Sequence, residues 1–220
     1  MKPLFQPTKP FNVGQKFGES LACTEDRPGV PFSLRKTTGK VGGVCPVGYV
    51  DLYPLLGMKG HTGIDCYGPT GWPCFASREG FVHEVQTEPE RGLGVGVITN
   101  EKFLCNETGQ YEHFKYRCWH FMSTKVVLGQ QVKIGTLLGL CDNTGLSAGS
   151  HLHYEIKPVR KNSQGVWYNV LQDNGYFGAV DPVPYINNQF ALDAAGIIRT
   201  IAEALAKISE KMALLLRQYI

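Results

Sequence analysis

The sequence is short of charge, of histidine and of long apolar runs, and each shortage narrows what the chain can be. No stretch of about 18 apolar residues occurs, so nothing reads as a membrane-spanning helix. Charged residues make up 19% of 220, and the formal net charge is only +3. That balance is too weak to argue for a nucleic-acid partner, and it does not oppose docking on an anionic cell wall. Seven cysteines stand at positions 23, 45, 66, 74, 105, 118 and 141, and no two have CxxC spacing. A cysteine zinc site is therefore not expected. The odd count leaves at least one thiol without a partner in the chain. Most read as small buried hydrophobes, and a disulfide or two would suit work outside a cell. The first ten residues carry Pro3, Pro7 and Pro10 and no continuous apolar run, which is unlike a secretory signal. The expectation is either a removed signal or another route out of the cell.

Glycine, by contrast, is frequent, at 26 residues. From Phe11 to Ile186 short apolar runs alternate with Gly, Pro and Asn clusters, the pattern of strands and tight turns. Candidate strands are Gly80–Val85, Gly94–Thr99, Tyr116–Phe121, Leu137–Cys141 and Leu152–Ile156, with Asn106–Gln110 as a hairpin loop. No long helix pattern precedes residue 187. The expected fold is mainly β: an antiparallel sheet with long loops, plus a C-terminal amphipathic α-helix. Three segments follow: an extended arm over 1–10, one domain over 11–186, and a helix over 187–220. In the last, Ile198, Ile201, Leu205, Ile208, Met212, Leu215 and Tyr219 recur at alternating spacings of 3 and 4, a heptad seam. Such a seam suits packing on its own domain, self-association, or docking to a larger assembly through 190–220.

The few histidines are placed tellingly. GHTGID holds His61 and Asp65, RCWHFM holds His120, and SHLHYEI holds His151 and His153. On a strand, His151 and His153 point off one face while Leu152 and Tyr154 take the other. Glycines and a proline around His61 argue against a helix there, so a loop running into a strand would bring His61 and Asp65 to one point. Two histidines and a carboxylate leave a fourth position for water, the pattern of a catalytic zinc. A further histidine beside such a centre can move protons. His83–Glu84 opens like HExxH, but residue 87 is Thr, so no such motif exists. His113 reads as a surface residue beside the hairpin loop.

GHTGID, GPTGWPCFASREGFV, RCWHF and GQQVKIGTLLGLCDNTGLSAGSHLHYEI together resemble peptidase family M23, the lysostaphin/LytM type, across roughly Phe11–Ile186. The resemblance implies one zinc per chain held by His61, Asp65 and His153, with His151 and His120 catalytic. It implies a zinc endopeptidase cutting peptide bonds in bacterial peptidoglycan, outside the cytoplasm. Cys118 stands where the family usually has tyrosine. Some members carry a tyrosine that helps hold the transition-state oxyanion where Tyr53 lies, although a packed aromatic explains Tyr53 equally well. The Pro-rich arm, the heptad tail and NGYFGAVDPVPY suggest a phage virion-associated hydrolase. A bacterial wall-remodelling enzyme and an inactive M23-fold binding module are the alternatives. Loops at 13–59, 86–94 and 157–180 are expected to line the groove.

Overall fold

The computed structural model describes residues 2–191 and Met212. The N-terminal part contributes five short strands, β1 (Leu4–Gln6), β2 (Val13–Gln15), β3 (Ala22–Glu25), β4 (Thr37–Gly39) and β5 (Tyr49–Asp51). The body follows as β6 (Ile64–Tyr67), β7 (Pro73–Phe75), β8 (Gly80–Glu88), β9 (Gly92–Cys105) and β10 (Gln110–Thr124). It closes with β11 (Gln131–Val132), β12 (Leu137–Cys141), β13 (His151–Lys161), β14 (Trp167–Asn169) and β15 (Ile186–Phe190). Among the described elements the only α-helix is α1 (Leu52–Leu55), capped by the Asp51 carboxylate on the Tyr53 N–H.

The main sheet runs β11-β8-β9-β10-β13-β6-β2, antiparallel throughout, with β12 and β14 branching from β10 and β13. The expected antiparallel β architecture is the one observed, and each of the five strands expected from the sequence exists. Four of them run beyond the expected bounds, because β-branched and aromatic residues keep a ladder going through polar stretches such as Asn100–Lys102. Asn106–Gly109 forms the predicted hairpin turn, with Gly109 at φ 66°.

One face of this sheet is the apolar core. Cys118, Phe121, Leu152, Tyr154 and Ile156 bury there with Ile64, Val97 and Tyr116. Five cysteines, 66, 74, 105, 118 and 141, are free and buried, as small hydrophobes are. Cys23 and Cys45 are disulfide-bonded, tying the small β4-β3-β5 sheet to the loop that precedes β5.

Two expected boundaries shift. The arm over 1–10 is not merely extended. The prolines leave Leu4, Phe5 and Gln6 free to hydrogen-bond. The Leu4 N–H donates to the Tyr185 carbonyl, the Gln6 carbonyl accepts from the Ala191 N–H, and the Phe5 N–H turns the other way to the Ser77 carbonyl. β1 thus pairs in parallel with β15 while Leu4 buries completely. The domain therefore does not stop at 186, since β15 carries it across the expected break to Phe190. The expected helix over 187–220 lies, beyond Ala191, almost wholly outside the described residues.

Candidate metal centre

β13 turns its alternate residues to the other side of the sheet, and there the predicted polar set meets. His153 stands directly across from Asp65 of β6 and His151 across from Tyr67. His61 arrives from the loop before β6. Gly63 makes that approach possible, because a Cβ there would overlap the Tyr154 carbonyl and crowd the His153 ring. The result is a tight triangle. His61 Nε2 lies 2.8 Å from His153 Nδ1, His153 Nδ1 lies 3.0 Å from Asp65 Oδ1, and His61 Nε2 lies 3.1 Å from Asp65 Oδ1.

These three residues form the one group among the described residues that could hold a metal ion. Ligands in tetrahedral positions around zinc stand roughly 3.4 Å apart, given bonds of about 2.1 Å. The triangle is slightly tighter than that and has the right donors. The chemistry of the donors fits as well. The His61 Nδ1–H donates to the Lys16 carbonyl at 3.2 Å, which leaves Nε2 as a lone pair facing the centre. Burial alone would raise the Asp65 carboxyl, yet His61 and His153 outweigh it and hold Asp65 well below the usual carboxylate range. Burial likewise opposes charge on His153, but Asp65 and Glu155 push that ring up to about 9. The site attracts positive charge although it is buried.

His151 and His120 complete the cleft wall. Their rings are 4.4 Å apart, and His151 Nε2 is 3.6 Å from Asp65 Oδ2. Each Nδ1–H donates to a backbone carbonyl, His151 to Gly149 at 2.8 Å and His120 to Thr144 at 2.7 Å, so each presents Nε2 outward. Burial, then neighbouring imidazoles, lowers both: His120 falls to about 3 and His151 below its ordinary value. Both are neutral near pH 7 and can accept a proton.

His120 reaches this position through a bulge. β10 pairs Cys118 with Val95 and Phe121 with Leu93, three steps against two. In a regular strand His120 would share the core face of Cys118. The bulge instead sends it to the cleft, at φ 67°, and returns Phe121 to the core. A non-glycine residue there costs roughly 1–2 kcal/mol, a strain typical of functional positions.

Tyr53 is buried on α1, its hydroxyl accepting the Gln15 Nε2–H at 2.7 Å and its ring 6.0 Å from His61. It lines the same cleft, of about 650 Å³. His113 lies elsewhere, donating to the Thr99 carbonyl and packed on Trp167. His83 is also outside the cleft. The walls differ in part from the expected loops. Residues from 15 to 58 and Glu90–Arg91 do line the cleft, but much of the first wall is the disulfide-tied sheet. From 157–180 only Phe177 takes part, while Leu146–Gly149 forms a wall outside the three loops expected to line the groove, although Gly149 itself reads from the sequence as narrowing the approach to the centre. The signal for that wall was the Asn143–Thr144–Gly145 turn: Gly145, at φ 79°, packs against the Gly92 backbone and sets Thr144 under His120.

This geometry agrees with what the chain is similar to. A match to Peptidase family M23 spans residues 59–166, which include all five polar side chains just described. Residues 59–166 are an M23 domain. A peptidoglycan DD-endopeptidase of Vibrio cholerae, ShyC, is 30% identical over 118 residues, covering 52% of this chain and 25% of that protein. An uncharacterized metalloprotease of Buchnera aphidicola is 33% identical over 102 residues, 44% of this chain and 23% of that protein. The chain thus spans about a quarter of the length of these relatives. Among solved structures, the catalytic domain of the antimicrobial peptidase lysostaphin from Staphylococcus simulans is 23% identical, with a TM-score of 0.44. That match covers 58% of this chain and 79% of that one. Among the described residues, no helix of this chain is long and apolar enough to cross a membrane.

Proposed function

We propose that this chain is a zinc-dependent endopeptidase that hydrolyses peptide bonds in bacterial peptidoglycan, outside the cytoplasm. The observation that carries the reading is the triangle of His61 Nε2, Asp65 Oδ1 and His153 Nδ1, within 3.1 Å of one another and flanked by two imidazoles. In this reading those three atoms hold one zinc per chain. Zinc there supplies Lewis-acid polarisation of the scissile carbonyl and a water acidic enough to attack near neutral pH.

The protein's own groups do the rest. His151 Nε2, neutral and 3.6 Å from Asp65, takes the proton of the attacking water. His151 can then pass that proton to the leaving amine, and His120, 4.4 Å away ring to ring with Nε2 as a lone pair, can accept a hydrogen bond that orients the proton in transit. Burial keeps water from competing for these hydrogen bonds. Tyr53 keeps its phenol protonated through burial first and the Asp65 charge second, so it can donate to an oxyanion in the cleft.

Peptidoglycan as substrate is supported by the domain family and by the relative described as a peptidoglycan DD-endopeptidase. Purified peptidoglycans of different cross-link chemistry, digested and read by mass spectrometry, test it. New amine and carboxyl ends at one peptide bond are the expected result. Intact sacculi after incubation with zinc-loaded protein refute it. The proposal includes docking of residues 190–220 on a larger assembly such as a phage particle, carried by the heptad seam. Light scattering on the full chain and on a chain ending after Ala191 tests self-association, since a cut at 186 would remove β15. Two monomers would exclude self-association and leave docking on a different partner as the reading of the seam.

A further inference from the structure

His153 is the exception among the four histidines of the centre. His61, His120 and His151 tether Nδ1 to a carbonyl and present Nε2. His153 instead turns Nδ1 to Asp65 Oδ1 and His61 Nε2, so with a cation held there Nδ1 would be the lone pair, and the ring proton would sit on Nε2 and need an acceptor on the far side. The group on that side is Glu155, two residues along the same face of β13. It is fully buried. Its Oε1 accepts from Arg117 Nη1 at 2.6 Å and lies 3.6 Å from Lys157 Nζ. Its Oε2 has no hydrogen-bond partner, and it lies 3.8 Å from His153 Nε2. That is about 1 Å beyond an ordinary N–H···O bond.

We propose that Glu155 is a positioning residue of the metal centre: Oε2 accepts the Nε2–H of His153 and so fixes the ring whose Nδ1 faces the cation. The inference rests on the metal reading above. A structural ion pair alone does not account for the arrangement. Arg117 engages only Oε1, and it has further carboxylates in reach, Glu84 at 2.8 Å and Glu88 at 3.3 Å. The orphaned oxygen is the one turned toward His153. Arg117 and Lys157 hold the carboxylate from behind, and Gly96 leaves room for Glu84 beside Arg117, because a Cβ there would stand 2.8 Å from the Glu84 carboxylate. A carboxylate behind a ligand histidine raises its basicity and locks its tautomer, and removing such a group typically lowers metal affinity 10–100-fold.

The test compares Arg117→Met with Arg117→Met/Glu155→Leu, because exchanging both ion-pair partners for apolar residues tends to preserve a fold. Zinc affinity by chelator competition, the visible spectrum of the cobalt-loaded protein and melting of the metal-free protein are read together. The double variant is expected to bind zinc roughly 10–100-fold more weakly than Arg117→Met, with a shifted cobalt spectrum. Equal affinities overturn the proposal. If the double variant does not fold, Glu155→Asp takes its place. Its shorter side chain can keep Arg117 but withdraws from His153, so weakened zinc binding is again expected and unchanged binding overturns the proposal. A wild-type chain that folds but binds no zinc overturns the metal reading itself, and this inference with it.

Discussion

The two faces of β13 and β10 are both buried, and for opposite reasons. On one face Leu152, Tyr154, Ile156, Cys118 and Phe121 lose water by packing. On the other, His151, His153, Glu155, Lys157 and Arg117 are between 0 and 7% exposed, held by polar partners. The core face gains stability in proportion to apolar area and tolerates exchange of like volumes. The cleft face gains little net stability from its ion pairs and is costly to leave half-paired. A single strand thus carries stability on its even residues and chemistry on its odd ones.

Breaking that division should give effects of falling size. The largest is expected for His153→Ala: zinc lost and peptidoglycan hydrolysis below detection, with the fold retained by circular dichroism, because two remaining ligands hold zinc poorly. Metal analysis of the purified variant checks it. A variant that keeps zinc would move His153 out of the ligand set.

Next come His151→Ala and His120→Ala. Each should keep zinc and lose roughly 10²–10⁴-fold in turnover, the usual contribution of a positioned acid or base. Zinc content and rate measured on one preparation separate the two roles on this face. If His151→Ala loses zinc while His153→Ala keeps it, the assignments are reversed.

On the opposite face, Leu152→Ala should cost about 2–5 kcal/mol in urea unfolding through the cavity it opens. Zinc stoichiometry in the folded fraction should not change. A large loss of metal with little loss of stability would erase the distinction between the faces.

The smallest expected effect is on acid stability. The His120 ring falls to about 3 in the fold, from an ordinary value of 6.5, through burial first and the charges of His151 and His153 second. The unfolded chain therefore takes up this proton first. The contribution to stability is present above pH 6.5 and is lost as pH falls toward 3. The metal-free wild type should lose more urea resistance between pH 7 and pH 5 than His120→Gln does. Equal losses would show that the ring is not held neutral by its burial.

Much of the site is legible in the order of residues alone. The HxH spacing puts His151 and His153 on one strand face, with Leu152 and Tyr154 opposite, because strand parity is a local property of the backbone. The glycines around His61 point to a loop entering a strand, as β6 does. The tripartite division is less legible. Prolines at 3, 7 and 10 hide β1, since parallel pairing with β15 joins residues some 180 apart and leaves no local trace. The same holds for Cys23–Cys45 and the small sheet it ties, which reads from the sequence as part of a loop.

What the sequence by itself determined is the kind of centre: which side chains could serve as ligands, in what chemical ratio, and on a chain whose alternating pattern makes antiparallel strands. Tertiary structure alone decided which ring nitrogen each histidine presents, through the carbonyls of Lys16, Thr144 and Gly149. It also decided that His120 faces the cleft, through a bulge that reverses the parity of β10, and that Glu155 stands behind His153 with one oxygen unpaired. The physical reason is the same in each case. Residue type and spacing set what a side chain can donate or accept and which face of a strand it takes. The partner that orients it comes from another segment, and that partner exists only once the strands have registered.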